Sequence, residues 1–98
     1  MQFLIIAKDG TDSEAPARRQ AARPAHLDNI VKFKALGKLL YAGAFLNESG
    51  GMIGSAVIAE FDSEEALRTG WLESEPYFTE NVWKEIDIKP FSVASMFK

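Results

Sequence analysis

The apolar positions of this chain fall into two rhythms. From Phe3 to Ala7 they run unbroken, with polar Gln2 before them and Lys8-Asp9 after. A short run of this kind, rich in Ile and Phe, predicts a strand buried on both faces. Gly10 to Ser13 supplies turn and capping residues, and then the period changes. Arg19, Arg23, His26, Ile30, Phe33 and Gly37 follow in steps of four and three, so a helix over 14–37 places all six on one face. Leu27, Val31 and Leu36 widen its apolar part. Pro24 removes one N–H and disfavours the helical conformation at Arg23, so the helix either kinks or begins there; a continuous, kinked helix is the better fit.

Strands are predicted over 38–46 and 54–61. The turn-forming Asn47-Glu48-Ser49-Gly50-Gly51 between them makes a hairpin. A phosphate-cradling loop would need a following Gly-Lys-Ser/Thr and a helix, and the chain offers neither. Asp62-Ser63-Glu64-Glu65 starts a second helix, with Leu67 and Trp71 at core spacing. Pro76 opens a further short helical piece, which Asn81 terminates in the left-handed conformation. The last strand runs from Val82 towards Phe97. Val82, Ile86 and Ile88 point one way, and Trp83, Glu85, Asp87 and Lys89 the other. Pro90 suits an edge or a bulge, after which Phe91 and Val93 are the apolar positions.

The order β-α-β-β-α-β is the ferredoxin-like arrangement of the α+β class: one domain over 1–98, an antiparallel sheet, and both helices on one face. The other sheet face then has no lid. A second copy packed sheet against sheet is the simplest cover, so the expected partner is the chain itself, as a homodimer or higher homo-oligomer.

Composition narrows the function. The 98 residues carry 14 acidic and 11 basic side chains, a formal charge of -3. That gives no field for a phosphate backbone, and nucleic acid is not an expected partner. With no cysteine, disulfides, thiolate metal sites and a thiol nucleophile are excluded. The apolar start is too short for a signal peptide or a membrane span, so a cytoplasmic protein without membrane contact is expected.

The chemistry concentrates at "RPAHLDNI", Arg23 to Ile30, which holds the only histidine. Imidazole titrates near neutrality and can accept or deliver a proton. The plainer alternative for His26 is a half-buried helix histidine bonded to a carbonyl. Glu75 precedes Pro76, which fixes the local backbone and aims the carboxylate. Bonded to one imidazole nitrogen, it would set the tautomer and raise the basicity of the other. Glutamate is a weaker N-cap than Asp or Ser, so capping explains it poorly. Arg19 and Arg23 are candidates to clamp a substrate carboxylate, and the cluster with Arg18 to hold a small anion. Ser55 is placed to donate into a cleft, though a plain hairpin-edge serine is the preferred reading. Tyr41 and Tyr77 are candidate pocket walls or core. One His and scattered carboxylates do not make a metal site, and no cofactor is expected.

Arg23-x-x-His26-Leu27, Gly37-x-Leu39 leading to Ala42-Gly43, the junction Ala59 to Ala66, Glu75-Pro76-Tyr77 and the closing Ile86 to Phe91 form an ordered series. In order and spacing it resembles the YCII-related (YciI-like) family across nearly the whole chain. The resemblance implies a dimeric α+β barrel and a His–Asp pair in a cleft beside the sheet. Relatives eliminate chloride from chlorinated hydroxylated aromatics, and muconolactone isomerases share the broader fold. The family histidine falls on His26 and its aspartate on Glu75. Glutamate adds a methylene, which moves the carboxylate by roughly an ångström, and a displacement of that size costs about 10²-fold where geometry is exacting. Three functions follow: an elimination or isomerisation enzyme without cofactor, acting on a small aromatic or lactone substrate; a non-catalytic metabolite-binding module; and a cofactor-free oxygenase, the weakest of the three.

Overall fold

The computed structural model describes residues 1–97. The expected domain ends on Lys98, which lies outside the described residues. Four strands, β1 (Gln2–Asp9), β2 (Leu39–Leu46), β3 (Met52–Glu60) and β4 (Trp83–Phe91), form one antiparallel sheet in the order β2-β3-β1-β4. The helices α1 (Ala15–Ala35), α2 (Glu64–Gly70) and α3 (Pro76–Thr79) lie on one side of it. This is the ferredoxin-like α+β arrangement. Among the described residues no helix is long and apolar enough to cross a membrane.

Strand alternation decides which residues meet the helices. Phe3, Ile5 and Ala7 of β1 and Val57 and Ala59 of β3 are buried beneath them, with Leu67, Trp71, Leu72 and Tyr77 closing the core. The run Phe3–Ala7 is therefore covered on one face by the single chain. Leu4, Ile6 and Ile58, on the opposite face, are only half-buried, and Tyr41 beside Ile58 is 61% exposed.

α1 is one continuous helix with Pro24 inside it. Pro24 and Gln20 are both exposed, so the Gln20 carbonyl that Pro24 leaves without its helical N–H is met by water. The helix stops two residues before Gly37, which has φ 74° while the amides of Gly37 and Lys38 return to Lys34 and Phe33. Its N-cap is Glu14, whose side chain makes no cap bond, rather than a residue of Gly10–Ser13. Leu27, Val31 and Leu36 do not join the core: they are exposed, because Arg19, Ala22, His26 and Phe33 take the inward face.

The β2–β3 hairpin turns on Asn47, whose Oδ1 accepts from the amides of Ser49 and Gly51. Ser63 caps α2 through the Ala66 amide, and Asn81 has φ 59° after α3. Pro90 sits in β4, an edge strand, where a missing donor is tolerated. One expectation about β4 is overturned. Trp83 does not share the solvent face with Glu85 and Asp87; it is buried on the helix side. The register shifts between Lys8 and Asp9, so Glu85 pairs with Lys8 but Trp83, not Lys84, pairs with Asp9. The extra residue rotates the indole inward.

Candidate active site

Two of the buried rails end on polar residues. The β1 series Phe3, Ile5, Ala7 continues to Asp9, and the β3 series Ala59, Val57 continues to Ser55, which lies across from Ala7. α1 runs over this end of the sheet and lowers Arg19 and His26 onto it. Tyr77, from α3, stacks on His26 with ring centroids 3.8 Å apart and lies 4.6 Å from the Arg19 guanidinium.

The structure brings His26 and Glu75 into direct contact through Nδ1 and Oε1. Glu75 is fully buried and accepts two further bonds: Tyr77 N–H to Oε1 at 3.1 Å and Asn29 Nδ2–H to Oε2 at 2.7 Å. With Nδ1 committed to Glu75, the imidazole keeps Nε2 as its second ring nitrogen. The Tyr77 bond also makes Glu75 the N-cap of α3, so capping explains this residue better than its type suggests. The longer side chain still reaches the imidazole.

Beside this pair lies a second chain of bonds. Arg19 Nη1–H reaches both oxygens of Asp9 at 2.9 Å, and Nη2–H reaches Ser55 Oγ at 3.0 Å. Trp83 Nε1–H reaches the same Oγ at 3.1 Å. Arg19 and Asp9 are almost wholly buried, a setting in which a charge stays only when paired. Arg19 is therefore held by Asp9 and Ser55, and it also lines the cavity beside His26, with its Nε–H unpaired among the described residues. The three upstream arginines do not all converge. Arg18 forks onto Asp12 at 2.9 and 3.1 Å, which holds the Asp12 carboxyl down at about 2. Arg23 borders open space next to Arg19.

That space is a cavity of about 230 Å³ lined by Arg23, His26, Ser55 and Tyr77 with apolar Ile30 and Val57. Burial pushes the Tyr77 phenol up, against the opposing pull of the Arg19 and Arg23 charges. A larger concavity of about 610 Å³, between the β1–α1 loop and Phe45 of β2, borders Met52 as well but gathers none of the residues around His26. The smaller one is the candidate site, because the polar groups converge there. Tyr41 is far too exposed to wall it. Among the described residues no cluster of His and acidic side chains has metal-binding geometry.

Sequence reasoning did not find Asp9, Asn29 or the polar role of Trp83. Asn29 follows His26 by three residues, a spacing that puts both on one helix stripe and offered a usable signal. Asp9 continues the alternation of Phe3, Ile5 and Ala7, which was also a usable signal, whereas Trp83 offered none, because a register shift brings it in.

A model of the YCII-related domain matches residues 1–92. The chain belongs to the YCII-related family. Protein YciI of Escherichia coli O6:H1 is 38% identical over 97 residues, 93% of this chain and 96% of the relative. An uncharacterized protein of Haemophilus influenzae is 32% identical over the same shares. Among solved structures, the 5-chloro-2-hydroxyhydroquinone dehydrochlorinase TftG of Burkholderia phenoliruptrix AC1100, in complex with 2,5-dihydroxybenzoquinone, covers 98% of each chain with a TM-score of 0.82 at 23% identity. At that identity the likeness speaks for the YCII chain's fold.

Proposed function

We propose that this YCII-family chain is a cofactor-independent enzyme in which His26 moves a proton during elimination or isomerisation of a small ring or lactone. The observation that carries the proposal is the His26–Glu75 contact on a cavity that also holds Arg23. In an elimination, Nε2 takes a proton from carbon. The C–H electron pair becomes a new π bond, and the leaving group departs from the neighbouring carbon with its bonding pair. Loss of HCl balances in this way, and isomerisation differs in that the imidazolium returns the proton to another atom. Glu75 orients the ring and stabilises the imidazolium. The fold's occurrence in a dehydrochlorinase that binds a six-membered, oxygen-bearing ring supports the reading.

The open sheet face supports a homodimer packed sheet to sheet, with Leu4, Ile6, Ile58 and Tyr41 in the contact. A monodisperse monomer at micromolar concentration overturns that part. The capping bond at Tyr77 favours a second reading of the site, in which the pair braces α1 against α3 and the cavity binds a metabolite without turning it over.

Chloride release from chlorinated hydroquinones and absorbance changes of lactones, measured with wild type and His26→Ala, separate the two. We expect His26→Ala to lose about 10²–10⁴ in rate while its circular dichroism stays native. Equal turnover by both proteins ends the catalytic assignment, and ring binding without turnover by wild type transfers the conclusion to the binding module.

A further inference from the structure

Ser55 has a hydrogen-bond inventory that does not close. A hydroxyl owns one hydrogen and two lone pairs. Both groups that reach Oγ, the Arg19 guanidinium at 3.0 Å and the Trp83 indole at 3.1 Å, can only donate. The direction of those bonds is therefore fixed by chemistry and needs no placed hydrogen. With both lone pairs engaged, the hydroxyl can accept nothing more. Its own hydrogen has no acceptor among the described residues, although Ser55 is only 3% exposed. The side chain lines the His26 cavity.

We infer that the Ser55 hydroxyl is a one-way donor that holds an acceptor oxygen of the bound molecule, with Arg23 holding that molecule's negative charge. A serine serving only to brace Arg19 and Trp83 would be a poor choice, since a carboxamide oxygen accepts two bonds and leaves no stranded hydrogen on that atom. Here the hydroxyl rotor sits in the wall of the cavity, where a bound molecule can accept its hydrogen. Donation from a cation into Oγ polarises the O–H and strengthens it as a donor. Asp9 cancels the charge of Arg19, so Ser55 offers direction without net charge. Arg23, half-buried and without a carboxylate partner, supplies the charge. An apolar cavity of about 150 Å³ accepts benzene. The 230 Å³ here, walled by Ile30, Val57 and the Tyr77 ring, admits one ring with a few substituents. The ligand class is a small, single-ring organic anion whose oxygen accepts a hydrogen bond. The inference rests on the proposed use of this cavity for a small molecule, and not on proton transfer at His26.

Benzoate and its neutral isostere benzamide serve as probes, titrated into the full chain and followed by calorimetry and by the Trp83 indole N–H resonance. Wild type is expected to bind benzoate in preference to benzamide and to shift the indole signal, since the indole shares Oγ with the ligand. Ser55→Ala should weaken benzoate about tenfold, the size of one charge-assisted bond. Arg23→Gln should abolish the preference for benzoate while leaving the indole shift in place. Should Ser55→Ala fail to fold, the Arg23→Gln preference and the indole shift still decide. Undiminished benzoate binding by a folded Ser55→Ala, no preference for the anion in wild type, or no benzoate binding at all overturns the inference. Loss of turnover in His26→Ala with all of these intact would leave it standing.

Discussion

Glu75 and Asp9 are two buried carboxylates, each met by a basic side chain from the same face of α1. They differ in what the base can do next. The partner of Glu75 is an imidazole, whose second ring nitrogen is not used in that contact. The partner of Asp9 is a guanidinium, a donor only, which gives one further N–H to Ser55. The proposed function asks the first pair to change state and the second to hold still. Burial of a carboxylate does not separate the two; the identity of its partner does.

The sharpest way to break the comparison is Glu75→Gln. The amide oxygen can still cap α3 and accept from Nδ1, but the charge that stabilises an imidazolium is gone. We expect turnover to fall about 10²–10⁴-fold while urea unfolding changes much less. A variant with wild-type kcat would place Glu75 with the structural pairs. Asp9→Ala should show the opposite balance. It strands the Arg19 cation in the interior, and the loss should reach about 3–5 kcal/mol in denaturant unfolding. Stability close to wild type would mean that Arg19 finds another acceptor.

The smallest effect belongs to the half-exposed pair of Asp12 and Arg18, the surface counterpart of the two buried pairs. Arg18 holds Asp12 down from 3.8 to about 2, so the folded state binds its proton more weakly than the unfolded chain. That contribution is present above about pH 4 and disappears as pH falls towards 2. Asp12→Asn should therefore lower Tm slightly at neutral pH and converge with wild type in acid. A gap that stays constant down to pH 2 would show that the carboxyl is not the titrating group.

Much of the fold was legible because its signals are local. The steps of four and three through Arg19, His26 and Phe33 describe the inward face of α1, and Pro76 with Asn81 brackets α3. The contact between His26 and Glu75 was legible through family resemblance and not through spacing. Leu27, Val31 and Leu36 were misread because hydrophobicity does not say which apolar residues win a helix's narrow buried stripe. Trp83 was misread because alternation assumes an unbroken ladder, and the register shift at Asp9 breaks it. The pairing of Arg19 with Asp9 was not read either, because the acid comes from the end of a strand ten residues away.

The polar end of β1 has a consequence for how this chain tolerates change in length. Asp9 stands in the same odd-numbered row as Phe3, Ile5 and Ala7. Losing or gaining one amino acid between them would put Leu4 and Ile6 where Phe3 and Ile5 pack and turn the acid away from Arg19 in the same stroke. Descendants of this gene that carry such an indel would misfit their core and strand a buried cation together. Copies with a longer β2–β3 tip at Asn47–Gly51 would escape both penalties.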